Sequence, residues 1–286
     1  MDGFINILKP PAMSSHDVVN RVRKILQIKK VGHAGTLDPA AAGVLPVALG
    51  RATRLLEYLA LTKKSYRAEI LLGKSTISGD LSGEITEEKN IEFPAEDEIL
   101  KVLDKFKGKI MQKPPIVSAI QIDGKRAYNL ARKNKIEELP EREIEIYSLN
   151  LIKIYEERNS FLIDAEVSKG TYIRSLAVDI GRELKSPAVL KFLLRTEVGN
   201  FKIENSVTLE ELEKLKENAV LKADDYLDHL PHYELNPKRK KAFKQGLSTT
   251  EKVCQKEILA VFSGGEFLGI ARYKNNEIIP AKVYLI

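Results

Sequence analysis

VGHAGTLDPAAAGVLPVALGRATRLLEYL, residues 31–59, carries a single acid, Asp38, ahead of Glu57. Two glycines (Gly32 and Gly35), His33 and Pro39 surround that acid, and a run of small apolar residues follows. The chain is 30% charged, so a lone carboxylate in such surroundings asks for a reason. A phosphate-binding loop is set aside, because GHAGTLDP has neither the Walker lysine nor the G-x-G-x-x-G spacing. The glycines fit positions where backbone turns tightly or approaches another group closely. Pro39 pushes Asp38 toward an extended conformation. Two readings stay open on spacing alone. Asp38 caps a turn, as most Asp-Pro acids do, or it is a catalytic carboxylate whose small neighbours admit a planar substrate.

The rest of the chain narrows the setting. At 286 residues it predicts roughly two domains of about 100–200 residues each. With 43% hydrophobic residues it can bury a sizeable core. The 46 basic side chains exceed the 40 acidic ones, a net +6 that suits a polyanionic partner or simply a solvated surface. Cys254 is the single cysteine, so no internal disulfide forms and a reducing compartment fits. There is no CxxC or HExxH, and His229 with His232 is a pair without a third ligand, so no metal is expected. The N-terminus MDGFINILKPPAMSS is not a signal peptide. No apolar run approaches the ~18 residues of a membrane span. A cytoplasmic chain is the expectation.

Periodicity sketches the elements. Ser14 and Ser15 are N-cap residues ahead of a helical stripe Val18, Val22, Ile25, Leu26. Residues 52–61 read as a short helix and SYRAEILLG (65–73) as a strand with Tyr66, Ala68 and Ile70 on one face. Residues 74–95 read mainly as loop. IVSAIQI (116–122) reads as a strand ended by Asp123-Gly124, and RAYNLARKNK as a basic helix. Strand-like runs follow at 143–155 and 160–168, then a helix over TYIRSLAVDIGREL. Thr208 to Glu211 fits a capping box. HLPHYELNPKRKK marks a break, and EILAVF, FLGIARY and IIPAKVYL beyond it read as a β-meander of about 55 residues, near the lower limit for independent folding.

The motif GHAGTLDPAAAGVL resembles the GH-x-G-x-LDP-x-A-x-GVL signature of the TruB family of pseudouridine synthases. Further blocks resemble the family in the same order: Lys9-Pro10 followed by SSHDVV, Lys64-Ser65-Tyr66, PPIVSAIQIDGKRAYNLAR (114–132) and SKGTYIRSLAVDIG (168–181). Together they cover most of residues 4–200. The resemblance implies an α+β chain: a pseudouridine synthase fold with a mixed, mainly antiparallel central sheet and flanking helices and loops, then a small β-rich PUA-like domain. The implied boundaries are 1–229 for the catalytic domain, with an RNA-binding insertion at about 108–147, and 230–286 for the RNA-binding module.

What the resemblance implies about function is the isomerisation of the T-loop uridine (position 55) of tRNA, by base flipping and without a guide RNA. Such an enzyme takes the base out of the stack to reach it. No cofactor is implied, since the reaction moves one bond and needs no redox partner. Asp38 matches the essential aspartate, and its route, through sugar, base or a glycal-like intermediate, stays open. Arg174 matches the arginine that supplies its counter-charge. Tyr66 matches the tyrosine that stacks on the uracil and is a candidate proton acceptor. Tyr172 and Leu193 match pocket residues, although KSPAVLKFLLR departs from the more glycine-rich family pattern and leaves Leu194 adjacent. His33 matches the histidine that fills the gap left by the flipped base, stacking whatever its proton state. Asp80 resembles an acid that contacts RNA or supports the site, within a KSTISGDLSG that lacks the usual second acid. Lys9 and Pro10 brace the loop. Lys125, Arg126 and Arg132 are the implied phosphate partners, with Gln121 and Asn134 as departures beside them. The implied partner is tRNA, bound by a monomer with no obligatory protein partner and no membrane.

Overall fold

The computed structural model describes residues 1–115, 121–122, 125–126, 139–250 and 257–284. The expected strand at 116–122, the Asp123-Gly124 turn and the helix over 126–135 fall wholly or mostly outside these residues. So do Arg132 and Asn134, and the side chains of Gln121, Lys125 and Arg126.

The chain opens with strand β1 (Gly3–Lys9) and helix α1 (Ser15–Leu26). Ser14 caps α1 as expected: its hydroxyl accepts from the Asp17 backbone N–H while the Asp17 carboxylate accepts from that of Ser14. Val18 and Val22 are fully buried on the inward stripe. Strand β2 (Val31–His33) leads through the Asp38 loop into β3 (Ala42–Leu49). A 3₁₀ segment, Gly50–Leu55, precedes the short α2 (Leu56–Leu59), so the expected helix starts earlier and winds more tightly. The Thr53 hydroxyl donates to the Gly50 carbonyl at 2.7 Å, a local bond that competes with a regular helical start.

Strand β4 (Lys64–Leu72) alternates buried and half-buried residues along its whole length, which is the period-two signal read from sequence. Residues 74–95 depart from the loop expectation. Strands β5 (Lys74–Thr76) and β6 (Ile85–Glu88) pair as a hairpin, held by Lys74 to Glu88 at 2.9 Å and Ser75 to Thr86 at 2.9 Å. Polar cross-strand partners hide a hairpin from a hydrophobic pattern. Helix α3 (Glu96–Lys105) has three acids in its first turn, where the helix dipole favours them. Strand β7 (Gly108–Gln112) and two short paired strands, β8 (Gln121–Ile122) and β9 (Lys125–Arg126), come next. Strands β10 (Arg142–Tyr155) and β11 (Ser160–Val167), helix α4 (Ile173–Glu183), strands β12 (Ala188–Val198) and β13 (Phe201–Lys202), and helix α5 (Leu209–Leu215) follow. Thr208 and Glu211 form the expected capping box on α5.

Among the described residues the main sheet has nine strands, ordered β1-β3-β12-β4-β11-β10-β7, with β2 paired to β3 and β13 to β12. Only β3 and β12 run parallel, so the sheet is mixed and mainly antiparallel. That parallel contact is brief, and Gly43 makes it possible. A Cβ there would lie 2.2 Å from the Arg195 carbonyl oxygen, and its φ of +117° is one that L side chains rarely adopt. The flanks of the 108–147 segment are part of this sheet, since residues 108–112 pair with 142–146 at its edge.

Three more elements, β14 (His232–Glu234), α6 (Lys240–Lys244) and β15 (Thr249–Thr250), lead into β16 (Ile258–Ser263), β17 (Glu266–Lys274) and β18 (Glu277–Val283). Five of these strands form a second sheet, ordered β14-β16-β17-β18-β15. The chain is therefore α+β with a C-terminal β-rich domain. Phe267 and Ile270 of the second sheet share a buried cluster with Phe4, Leu55 and Tyr58 of the first unit. Lys282 pairs with Glu57 at 2.9 Å beside it.

Candidate active site

The Asp38 loop lies where β3 and β12 meet. Lys9 is fully buried beneath it, and its ammonium donates to the carbonyls of Ala41 at 2.7 Å, Pro10 at 2.8 Å and Pro39 at 3.3 Å. Burial pulls its pKa down to about 8 against the opposing pull of the Asp38 charge. Ser15 grips the same loop from the start of α1, exchanging hydrogen bonds with the Leu37 backbone. The Ala41 N–H donates to the Asp38 carbonyl at 3.0 Å, and the turn closes. Both open readings of Asp38 thus meet in one place. Its backbone makes the turn, and its carboxylate remains available.

That carboxylate faces Arg174, in the first turn of α4. Arg174 Nε lies 3.0 Å from Asp38 Oδ2 and Nη2 lies 3.4 Å from Oδ1. The guanidinium side chain is 5% exposed and the Asp38 side chain 40%. Arg174 Nη1 donates to the Ser78 carbonyl at 2.9 Å, which ties the β5–β6 hairpin tip to α4. Asp80, on that tip, stands 3.8 Å from Arg174 Nε. Its Oδ1 is taken up by the Ser78 hydroxyl and by the Ser82 hydroxyl and N–H. Of the two acids beside Arg174, Asp38 is the accessible one.

A cavity of about 360 Å³ opens on this pair, within the range of small-molecule sites. Asp38, Tyr66, Tyr172, Arg174 and Leu193 all line it, and Leu194 does not. Tyr66 rises from β4 at 8% exposure. Tyr172 is the residue before α4, where Gln112 of β7 bridges both of its backbone groups at 2.8 and 3.0 Å. Arg142 covers the Tyr172 ring at 4.7 Å, a cation–π contact, and donates to the Gly170 carbonyl. A second cavity of about 260 Å³ shares Asp38 and Leu193 and is bounded by Asp80, Leu81 and Phe192.

His33 sits apart. It is half-buried on β2 opposite Val47 and is not a wall of the main cavity. Burial is the main cause lowering its pKa, with the charges of Arg195 and His16 adding to it. Among the described residues no group of His, Cys, Asp and Glu has metal-ligand grouping.

Three charged cavity residues escaped the sequence reading as site groups, Lys64, Arg142 and Arg195, as did Gln112, which holds Tyr172 from behind. Lys64 was legible, because it lies two residues before Tyr66 on a strand and so shares its face. Burial draws Lys64 down to a pKa of about 8, with Arg195 and Lys169 repelling its charge. Arg195, within KFLLRTEV, carries no sequence signal that separates it from a surface arginine.

A model of the TruB family pseudouridylate synthase N-terminal domain matches residues 23–173, and one of the tRNA pseudouridylate synthase B C-terminal domain matches residues 174–231. The tRNA pseudouridine synthase B of Caldanaerobacter subterraneus subsp. tengcongensis is 43% identical over 286 residues, covering 99% of each chain. That of Heliobacterium mobile is 46% identical over 250 residues, covering 87% of this chain and 81% of the relative. Among solved structures, the crystal structure of a Cbf5-Nop10-Gar1 complex is similar with a TM-score of 0.78 and 29% identity, covering 99% of this chain and 85% of that chain. By these matches along its whole length, the chain belongs to the TruB family of pseudouridylate synthases.

Proposed function

We propose that the chain is a tRNA pseudouridine synthase that isomerises the T-loop uridine, position 55, on free tRNA without a guide RNA. The observation that carries this reading is the accessible Asp38 carboxylate, paired at 3.0 Å with a buried Arg174 on the wall of a nucleobase-sized cavity. The reaction breaks the bond from ribose C1′ to uracil N1, turns the base and joins C1′ to C5. The C5 hydrogen leaves to water and N1 takes up a proton, so no electron donor is needed.

Asp38 is the group that engages the nucleoside, as nucleophile or as stabiliser of a glycal-like intermediate. Arg174 supplies the counter-charge, so that a base closing over the acid does not strand an unpaired buried ion. Tyr66 stacks on the uracil and stands as proton acceptor, while Tyr172 and Leu193 bound the pocket. His33, at the edge and favoured neutral by burial, fills the gap in the stack. Asp80 supports the site by holding the hairpin tip against Arg174. Lys9 and Pro10 brace the loop. Lys125, Arg126 and Arg132 act as phosphate partners, which makes binding salt-sensitive.

Residues 1–229 form the catalytic unit in this reading. Residues 230–286 form a PUA-like module that meets the acceptor end of tRNA. Of the basic residues Lys238, Arg239, Lys240, Lys241 and Lys244, Lys240 and Lys244 approach Glu266 and Arg239 donates to the Thr249 hydroxyl and the Ser248 carbonyl, which leaves Lys238 and Lys241 as its tRNA-facing cations. The protein works as a cytoplasmic monomer without an obligatory protein partner. Among the described residues no helix is long and apolar enough to cross a membrane.

The likeness to Cbf5, solved as part of a box H/ACA sRNP, raises a second reading in which the protein works within a ribonucleoprotein, but relatives 43–46% identical to this chain carry the name of a tRNA enzyme, which favours free tRNA. The test is to incubate a tRNA transcript with the purified protein alone and map the product by carbodiimide labelling and primer extension. One stop at the T-loop uridine, lost when that uridine is replaced by cytidine, is expected. No stop, or a stop that needs an added guide RNA, defeats the proposal.

A further inference from the structure

Arg195 is 1% exposed and, among the described residues, no carboxylate pairs with it. A buried guanidinium without an acid is costly, so the groups that replace the acid identify its role. Its Nε donates to the Val44 carbonyl at 2.8 Å and Nη2 to the Gly35 carbonyl at 3.1 Å. These two carbonyls bracket the Asp38 loop, one before it and one after. Tyr66 lies directly across the β4–β12 ladder from Arg195, and both residues line the cavity. A methyl placed on Gly35 would lie 3.6 Å from both Arg195 Nη1 and Lys64 Cε, which shows how closely the loop, the arginine and the Tyr66 strand converge.

We propose that Arg195 is a positioning residue that joins the Asp38 loop to the strand position of Tyr66, so that acid and tyrosine face one bound base in fixed relation. An arginine suits this because its planar fork carries five donors in rigid geometry, whereas an ammonium has one centre. The inference rests on the functional reading above for what the two groups act on.

The test uses the full-length protein labelled with ¹³C at tyrosine Cζ, the Tyr66 resonance being assigned by Tyr66→Phe. In Arg195→Met that resonance moves while those of tyrosines remote from the cavity stay. Single-turnover isomerisation of tRNA falls about 10²-fold, the scale of a displaced catalytic group. The tRNA dissociation constant stays within about threefold, which excludes a role in gripping phosphate. Arg195→Lys keeps the charge but loses the fork, and regains less than about tenfold of the rate. Should Arg195→Met not fold, Arg195→Lys is read by the same resonance. An unmoved Tyr66 resonance, turnover within about threefold of wild type, or a loss confined to tRNA binding overturns the inference. If the wild type isomerises no tRNA, the functional reading fails, while the resonance still reports on whether Arg195 positions Tyr66.

Discussion

Arg174 and Arg195 are both buried beside one cavity, yet the start of α4 and the middle of β12 hold them differently. Arg174 meets acids, with Asp38 at 3.0 Å and Asp80 at 3.8 Å. Arg195 meets backbone carbonyls and stands across the ladder from Tyr66. The first arrangement sets a charge against a charge at the cavity mouth, where Asp38 is 40% exposed and able to touch a substrate. The second fixes the shape of the loop on which that acid stands. Burial alone therefore does not tell a reactive pair from a strut. The identity of the partner does.

The sharpest break of this comparison is Asp38→Asn. It keeps the turn and removes the charge that Arg174 answers, so turnover falls by roughly 10⁴-fold or more, while tRNA binding stays within a few fold. A variant that loses binding but turns over normally when saturated would return Asp38 to a structural role. Arg174→Ala comes next. The rate drops about 10²–10³-fold, the scale of losing one preorganised charge donor. Stability falls by about 1–3 kcal/mol, less than for a fully buried pair because Asp38 is part exposed. Single-turnover kinetics and denaturant melts read the two effects separately, and near-normal kinetics would take Arg174 out of the mechanism.

Lys64 sharpens the other side of the comparison, since it too is buried next to Arg195. Its pKa is about 8 in the fold against 10.5 ordinarily. The folded protein releases this proton first, so the unfolded chain binds more protons between 8 and 10.5 and stability rises with pH across that window. Below it both states are charged and the burial penalty is complete. Lys64→Met therefore gains more over wild type near pH 8 than near pH 10 in urea melts. An equal difference at both values would mean that Lys64 is not desolvated. Thr208→Ala, remote from both arginines, is the smallest change. It costs about 1 kcal/mol through the lost helix cap and leaves turnover untouched. A turnover defect there would mean that stability and chemistry are not separable in this fold.

The same contrast explains what could be read from sequence. The N-cap at Ser14, the capping box at Thr208 and the alternation of β4 were legible because each is set by local chemistry. Strand β3 was not, for it is buried on both faces, carries Pro46 and shows neither period two nor 3.6. The β5–β6 hairpin was missed because polar pairs hold it. At the site, Asp38, Tyr66, Tyr172, Arg174 and Leu193 converge on one cavity from four places in the sequence, and the family motifs brought them together before any geometry did. Arg195 and Arg142 were invisible, because their roles depend on which carbonyl or ring stands opposite once the sheet is assembled.

The most direct test of the Asp38–Arg174 account is tritium release from tRNA labelled at uridine C5, measured with the purified protein and with Asp38→Asn side by side. Joining C1′ to C5 expels that hydrogen into water, so the assay counts the isomerisation itself. Release that stops at one equivalent per tRNA with the wild type and vanishes with Asp38→Asn is the predicted result. Release that continues unchanged in Asp38→Asn, from tRNA bound equally well, would contradict the account.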